Sequence, residues 1–226
     1  MAKRGILTVP EIEKLKLVIG DKNLSSWSMR PWLALKTSTL PFEEVLVPLD
    51  RPKTARALAK HSPSGRVPVL VHDDLQVWDS LAICEYVHEL APERHLWPRS
   101  KTERARARAY CAEIHSGFHA MRAQLSMDLR LRMEIRHLSR DTMADIRRVL
   151  HLWTAALKRS KGPFLFGGFG IADAFYAPVV FRFVSYGIHI DNKIALAYMQ
   201  AVQKNPHVRE WVQAARKEKP FIPRFK

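Results

Sequence analysis

Apolar positions fall in short runs over roughly the first ninety residues and recur at steps of three and four thereafter. Leu15 to Gly20 reads as a strand, and Ser28 to Thr37 as a helix in which Trp32, Leu33 and Leu35 supply apolar contacts. Pro31 suits that helix if it falls in the first turn, where the amide groups have no intrahelical partner to lose. Glu43 to Leu49 follows as a second strand and Pro52 to Lys60 as a short helix. Val67 to His72 and Gln76 to Trp78 predict a hairpin across Asp73-Asp74, and Ser80 to Leu90 predicts a helix. The resulting order is β-α-β-α-β-β-α. Ala91-Pro92 through Trp97-Pro98 breaks it as a linker.

Beyond Ser100 the strand signal stops. Tyr110, Ile114, Gly117, Phe118, Met121 and Leu125 predict one apolar helix face, and Ile146, Leu150, Trp153 and Leu157 predict another. Ser139 with Asp141 and Thr142 marks a helix start. Gly162-Pro163 and Gly167-Gly168 mark a tight connection before Ile171 to Tyr186, which is apolar nearly all round and so predicts a buried central helix. Asn205-Pro206 separates two short final helices. The fold class that emerges is a two-domain α+β chain. It has an amino-terminal extension over 1–14, a thioredoxin-like domain over 15–90, a linker over 91–99 and an all-helical domain over 100–226.

Composition adds three constraints. The 226 residues are 47% hydrophobic, enough for a packed core. Met1 to Pro10 holds two basic residues and only a short apolar run, Gly5 to Val9, too brief for a signal-peptide core or a bilayer span. The expectation is a soluble cytoplasmic protein without membrane contact. Cys84 and Cys111 lie far apart with no C-x-x-C and no metal-ligand spacing, so buried thiols in a reducing compartment and no metal are expected. The net charge of +15 is unevenly spread: residues 1–91 hold 12 Lys/Arg against 11 Asp/Glu, whereas 92–226 hold 25 against 11. A basic second half attracts anionic small molecules, nucleic acid or membrane headgroups, or is simply a solvated helical surface.

Three short motifs carry the candidate chemistry, each at the edge of a predicted strand or helix. In Ser25-Ser26-Trp27-Ser28-Met29-Arg30-Pro31, hydroxyls and backbone amides converge on the positive end of a helix, which stabilises a thiolate. A free cysteine-like thiol with a pKa of about 8.5 is only about 3% ionised at pH 7. A hydrogen bond to the charged sulfur contributes roughly 1.5 to 3 kcal/mol and a helix start about 0.3 to 1, enough to make the thiolate the major form. In Arg66-Val67-Pro68-Val69-Leu70, a proline after an extended residue permits a cis bond that turns the Val67 backbone toward an extended peptide. In Trp78-Asp79-Ser80, the Ser80 amide and hydroxyl offer a carboxylate site and Asp79 meets an ammonium group. The serines are also ordinary helix caps, and the proline an ordinary strand-edge residue. Together, the three motifs describe a pocket for a thiol peptide.

Order and spacing of these motifs resemble the cytosolic glutathione transferases, from about Leu15 to about Glu218. The first motif is similar to the serine-cysteine signature of the zeta class, with Trp27 where that class has cysteine. The resemblance implies that Ser25 stabilises the glutathione thiolate, with Ser26 as the alternative. It also implies that Val67-Pro68 is the cis-proline pair and that Asp79-Ser80 receives the γ-glutamyl group. For the glycine carboxylate it leaves Lys53, His61 and Arg66. Gly170-Ile171-Ala172-Asp173 resembles the family's structural capping box, with glycine in place of the usual Ser/Thr. The second substrate of the family sits between the domains, which here makes Trp27, Arg108, Tyr110 and His115 candidates, alongside Arg104, Arg106 and Arg122. Trp27 for cysteine, and Ser185 where an isomerase of the zeta class offers arginine, with Arg182 one turn away, argue against a maleylacetoacetate isomerase.

The leading expectation is a homodimeric glutathione transferase that adds glutathione, its co-substrate, to an unidentified electrophile. The alternative is a transferase-like module without catalysis, whose basic second half binds nucleic acid or an acidic protein. All three motifs together favour the enzyme. A thiol-disulfide oxidoreductase is disfavoured, because neither cysteine lies near the helix start at Ser25.

Overall fold

The computed structural model describes residues 15–219; the segments 1–14 and 220–226, including the expected amino-terminal extension, lie outside the described residues. The first half runs β1 (Leu15–Ile19), α1 (Ser26–Ser38), β2 (Phe42–Leu46), α2 (Thr54–Leu58), β3 (Val69–His72), β4 (Leu75–Val77) and α3 (Ser80–Leu90). The sheet order is β2-β1-β3-β4. β1 pairs in parallel with β2 across the α1 crossover and antiparallel with β3, and β3 and β4 form the hairpin. Alternation along β1 sets the two faces of the sheet. Leu17 and Ile19 join the main core beneath α1 and α3, and Val18 joins Val47, Leu58 and Val69 beneath α2.

The second half is helical: α4 (Lys101–Ser116), α5 (His119–Gln124), α6 (Arg140–Ser160), α7 (Ile171–Ser185), α8 (Lys193–Lys204) and α9 (Pro206–Lys217). α7 is buried almost all round and packs against both α1 and α4, so a single apolar core runs through both halves. Among the described residues, no helix is long and apolar enough to cross a membrane.

Besides a shorter β2 and α2 and a later start of β3, three details differ from the sequence reading. α1 begins at Ser26 rather than Ser28, because the Ser25 side chain caps it by accepting from the Ser28 amide. Pro31 therefore lies past the first turn and has no N–H to give the Trp27 carbonyl one turn back. The predicted single helix through Leu125 is broken at Gly117-Phe118. Phe118 takes a left-handed φ of 58°, yet its ring stays buried, which preserves the apolar period across the break. The linker is packed rather than loose: Leu96 and Trp97 are buried, and Trp97 Nε1 donates to Glu85 Oε2 at 3.0 Å.

The start of α7 explains the missing half of its capping box. Asp173 accepts from the Gly170 and Leu165 amides, both at 3.0 Å, but a Cβ at Gly170 would lie 2.6 Å from the Leu96 carbonyl oxygen. That carbonyl already accepts from the Ile171 amide at 3.0 Å, so it is held in place. Completing the box is thus expected to harm the fold. Gly170→Ser should lower the unfolding free energy by about 1 to 3 kcal/mol in urea titration, despite the added cap.

Candidate active site

The turn from β1 into α1 is fixed from several directions. The Gly20 amide donates to Ser28 Oγ at 3.1 Å, and the Ser25 amide donates to the Asp21 carbonyl at 2.8 Å. Glu218, at the end of α9, accepts from the Lys22 and Asn23 amides at 2.6 and 3.0 Å. Asn23 in turn bonds Asp128 and the Arg130 amide in the segment before α6. A hydroxyl carried on this turn is therefore positioned by both halves of the chain.

The two candidate serines diverge. Ser25 Oγ donates to Ser28 Oγ at 2.7 Å and accepts from the Ser28 amide at 3.3 Å. Ser26 is equally buried but points inward, where its Oγ accepts from Arg182 Nη2 at 3.3 Å. Ser28 was not singled out in the sequence. Its position three residues after the cap was the available signal, because a cap oxygen reaches the third amide of the helix. No hydrogen bond among the described residues ends on the Trp27 amide, which points out of the first turn.

A groove of about 490 Å³ opens beside Trp27, within the size range of small-molecule sites. Its wall brings together Arg66, Val67, Pro68, Asp79 and Ser80, with Ser64 and Trp78 added to the sequence candidates. Val67-Pro68 is a cis peptide. Ser62 holds the preceding residue, donating to the Arg66 carbonyl at 2.7 Å and accepting from its amide at 3.1 Å. The Val67 amide and carbonyl make no hydrogen bond to another described residue. Asp79 caps α3 by accepting from the Leu81 amide at 2.7 Å while its side chain stays about half exposed. Ser80 Oγ is buried in the wall with no partner among the described residues. A buried hydroxyl without a partner costs about 1 to 3 kcal/mol, which a ligand oxygen at this place would recover. Lys53 and His61 do not line the groove: Lys53 is exposed ahead of α2, and the His61 carbonyl accepts from Gln76. Only Arg66 of the three cationic candidates reaches it.

On the helical side the candidates also separate. His115 lies edge-on to Trp27, ring centres 5.2 Å apart, and its Nε2 is 3.4 Å from Asp79 Oδ2. Burial lowers its pKa from the ordinary histidine value, opposed by Asp79 and reinforced by Arg30 and Arg122. Arg108 is turned away from this cleft. It makes a two-pronged bond to Glu85 of α3 at 2.8 and 2.9 Å, because that carboxylate already bonds Trp97 and offers a fork-shaped partner. Tyr110 is turned away too, packing against Phe166 at 5.4 Å in an apolar contact that the cleft does not offer. Arg104 is held by the Pro98 and Arg99 carbonyls and Arg106 by Glu103. Arg122 stacks on Trp27 at 4.8 Å. Cys84 and Cys111 are buried thiols whose pKa values burial pushes up, so neither is a nucleophile here.

Comparison with known proteins points to one family. The family model "Glutathione S-transferase, N-terminal domain" matches residues 24–90, and "Glutathione S-transferase, C-terminal domain" matches residues 105–214. The chain is 38% identical over 94 residues to "Glutathione S-transferase 1" of Dianthus caryophyllus, covering 41% of this chain and 42% of that protein. It is 34% identical over 96 residues to a "Probable maleylacetoacetate isomerase" of Caenorhabditis elegans, covering 42% and 44%. The matches thus span somewhat over two fifths of these curated relatives. Among solved structures, a glutathione transferase homolog from Burkholderia GL BGR1 with bound glutathione superposes with a TM-score of 0.70 at 24% identity, covering 91% of this chain and 99% of that one. At that identity the likeness concerns the fold.

Proposed function

The chain belongs to the glutathione S-transferase family, and from that membership we propose that it is a glutathione-conjugating enzyme whose co-substrate lies in the groove beside Trp27. One observation carries the reading: a single wall presents the Asp79 carboxylate, the partnerless Ser80 hydroxyl and the free Val67 backbone next to the start of α1. These groups match a γ-glutamyl ammonium and carboxylate and an extended cysteinyl backbone, and Arg66 supplies a cation for the glycine end. No metal takes part in this reading.

Thiolate stabilisation falls to Ser25, with Ser28 as its partner. Ser28 Oγ accepts from the Gly20 amide and keeps its own proton, so it can turn to donate to Ser25 Oγ, and the Ser25 proton then points to sulfur. The Trp27 amide and the helix dipole add to the field. The thiol proton leaves to solvent, and the sulfur lone pair forms the new bond to an electrophilic carbon as its leaving group departs or its double bond accepts the electrons. Chain geometry supplies pKa adjustment and positioning. Ser26 suits this role less well, because its Oγ faces Arg182 and lines the inner cavity rather than the groove. A homodimeric, cytoplasmic enzyme completes the proposal. The binding-module alternative ranks second, since part of the basic surface is held in ion pairs: Arg106, Arg108, Arg148 and Arg159 are engaged with Glu103, Glu85 and Glu113.

Calorimetric titration with glutathione tests the reading. One site per chain is expected, and Asp79→Asn, which keeps the helix cap but loses the charge, should weaken binding roughly tenfold. Absence of binding heat at several temperatures would defeat the proposal.

A further inference from the structure

Beneath the Trp27 wall, arginines from three helices converge: Arg30 of α1, Arg122 of α5 and Arg182 of α7. With Ser26 and the apolar Ile114, Met121, Pro178 and Val179 they line a cavity of about 10 Å³, about the least space that holds one water-sized species. Arg122 spends its Nε and Nη2 on the Gly117, Ile114 and His115 carbonyls, and Arg182 bonds the Leu125 and Arg122 carbonyls and Ser26 Oγ. Arg30 is different. It is fully buried, and its Nε and Nη1 donate to no described group. Its faces are covered by Trp27 at 4.3 Å and Phe175 at 4.6 Å.

Among the described residues, none of the three arginines has an acidic partner. The nearby groups that favour the Arg30 charge are the Cys84 and Cys111 thiols, and burial keeps both neutral at pH 7. Burial and then Arg122 pull Arg30 down to about 9, so it too remains a cation near neutrality. Three cations packed together with two unpartnered donor nitrogens form a strongly unbalanced site, because buried charges in proteins are normally paired.

We propose that the Arg30–Arg122–Arg182 cluster binds one small monovalent anion, of the size of a chloride ion or a single carboxylate group. The anion takes one of the free Arg30 donors and offsets the mutual repulsion of the three guanidinium groups. It thereby ties the two halves of the chain together at a place distinct from the groove, and the inference does not depend on glutathione chemistry.

The test is thermal unfolding at constant ionic strength, with sodium gluconate replaced stepwise by sodium chloride or sodium formate. Wild type should gain about 3 to 6 °C in midpoint once the small anion exceeds its dissociation constant tenfold, and the gain should saturate. Arg122→Met should lose that gain. Formate acting at lower concentration than chloride assigns the site to a carboxyl group, and the opposite order assigns it to a free halide. A bromide-soaked wild-type crystal provides a measurement independent of any variant, with an anomalous peak expected within hydrogen-bond distance of Arg30 Nε or Nη1. Equal midpoints in gluconate, chloride and formate, or bromide peaks only on the outer surface, would overturn the proposal.

Discussion

Ser25→Ala is expected to lower kcat/KM for conjugation of a chromogenic electrophile at pH 7 by about 10- to 100-fold, the worth of one hydrogen bond to a charged sulfur. Ser26→Ala should leave the rate near wild type, because its hydroxyl is turned to Arg182 on the far side of the first turn. Ser28→Ala should fall between them, since it removes the partner of Ser25 but not the donor itself. The pH-rate profile separates a thiolate role from a structural one. Loss of the donor shifts the bound thiol pKa upward by about one to two units, whereas a loosened helix start lowers the rate at every pH. Ser25→Ala also removes the α1 cap, so unfolding should be monitored alongside, with a loss of about 0.5 to 2 kcal/mol. A Ser25→Ala enzyme with an unshifted profile would move thiolate stabilisation to the Trp27 amide and helix dipole alone.

Asp173→Ala is expected to cause the largest loss of stability, about 2 to 5 kcal/mol, because it strands the buried Leu165 and Gly170 amides that the carboxyl now accepts from. For a chain of this size the unfolding midpoint should drop by roughly 5 to 15 °C. Asp173→Asn, which keeps one acceptor, should lose less. Burial raises Asp173 from 3.8 to about 7, opposed by those two amides. The folded protein thus holds a proton that the unfolded chain releases at lower pH. Stability from this proton is full below the unfolded value and is lost as pH rises through the folded one. The gap between wild type and Asp173→Ala should accordingly narrow from acid to mildly alkaline pH, as measured by urea unfolding across that range. A gap that widens would mean that the carboxylate, not the acid, is the form the fold prefers.

How much of this was legible in the sequence depended on whether the signal was local. The hairpin and α3 follow from turn residues at Asp73-Asp74 and the Asp79 cap, both short-range features. The α1 start was read two residues late because Ser26, Trp27 and Ser28 show no apolar period, while the cap that decides the boundary is a side chain reaching forward. The break at Gly117-Phe118 was hidden for the opposite reason: the apolar spacing continues through it, because α5 packs on the same core.

Pro68 and Ser80, expected from distant segments of the sequence, both line the groove, because a backbone device places each of them there. Directions of long side chains were not legible. Arg108 and Tyr110 share a helix with His115, yet only His115 meets Trp27, because Glu85 and Phe166 draw the other two away. The basic surplus of α4 likewise owes part of its place to ion pairs that only the packed structure reveals.

The central claim concerns one atom, the glutathione sulfur, held as an anion at the start of α1. A crystal structure of the wild-type protein soaked with glutathione tests it most directly. The account predicts the sulfur within hydrogen-bond distance of Ser25 Oγ, the γ-glutamyl carboxylate on Ser80 and the cysteinyl backbone paired with Val67. A tripeptide bound elsewhere, or a sulfur in the groove with Ser25 still turned to Ser28 and out of reach, would contradict it.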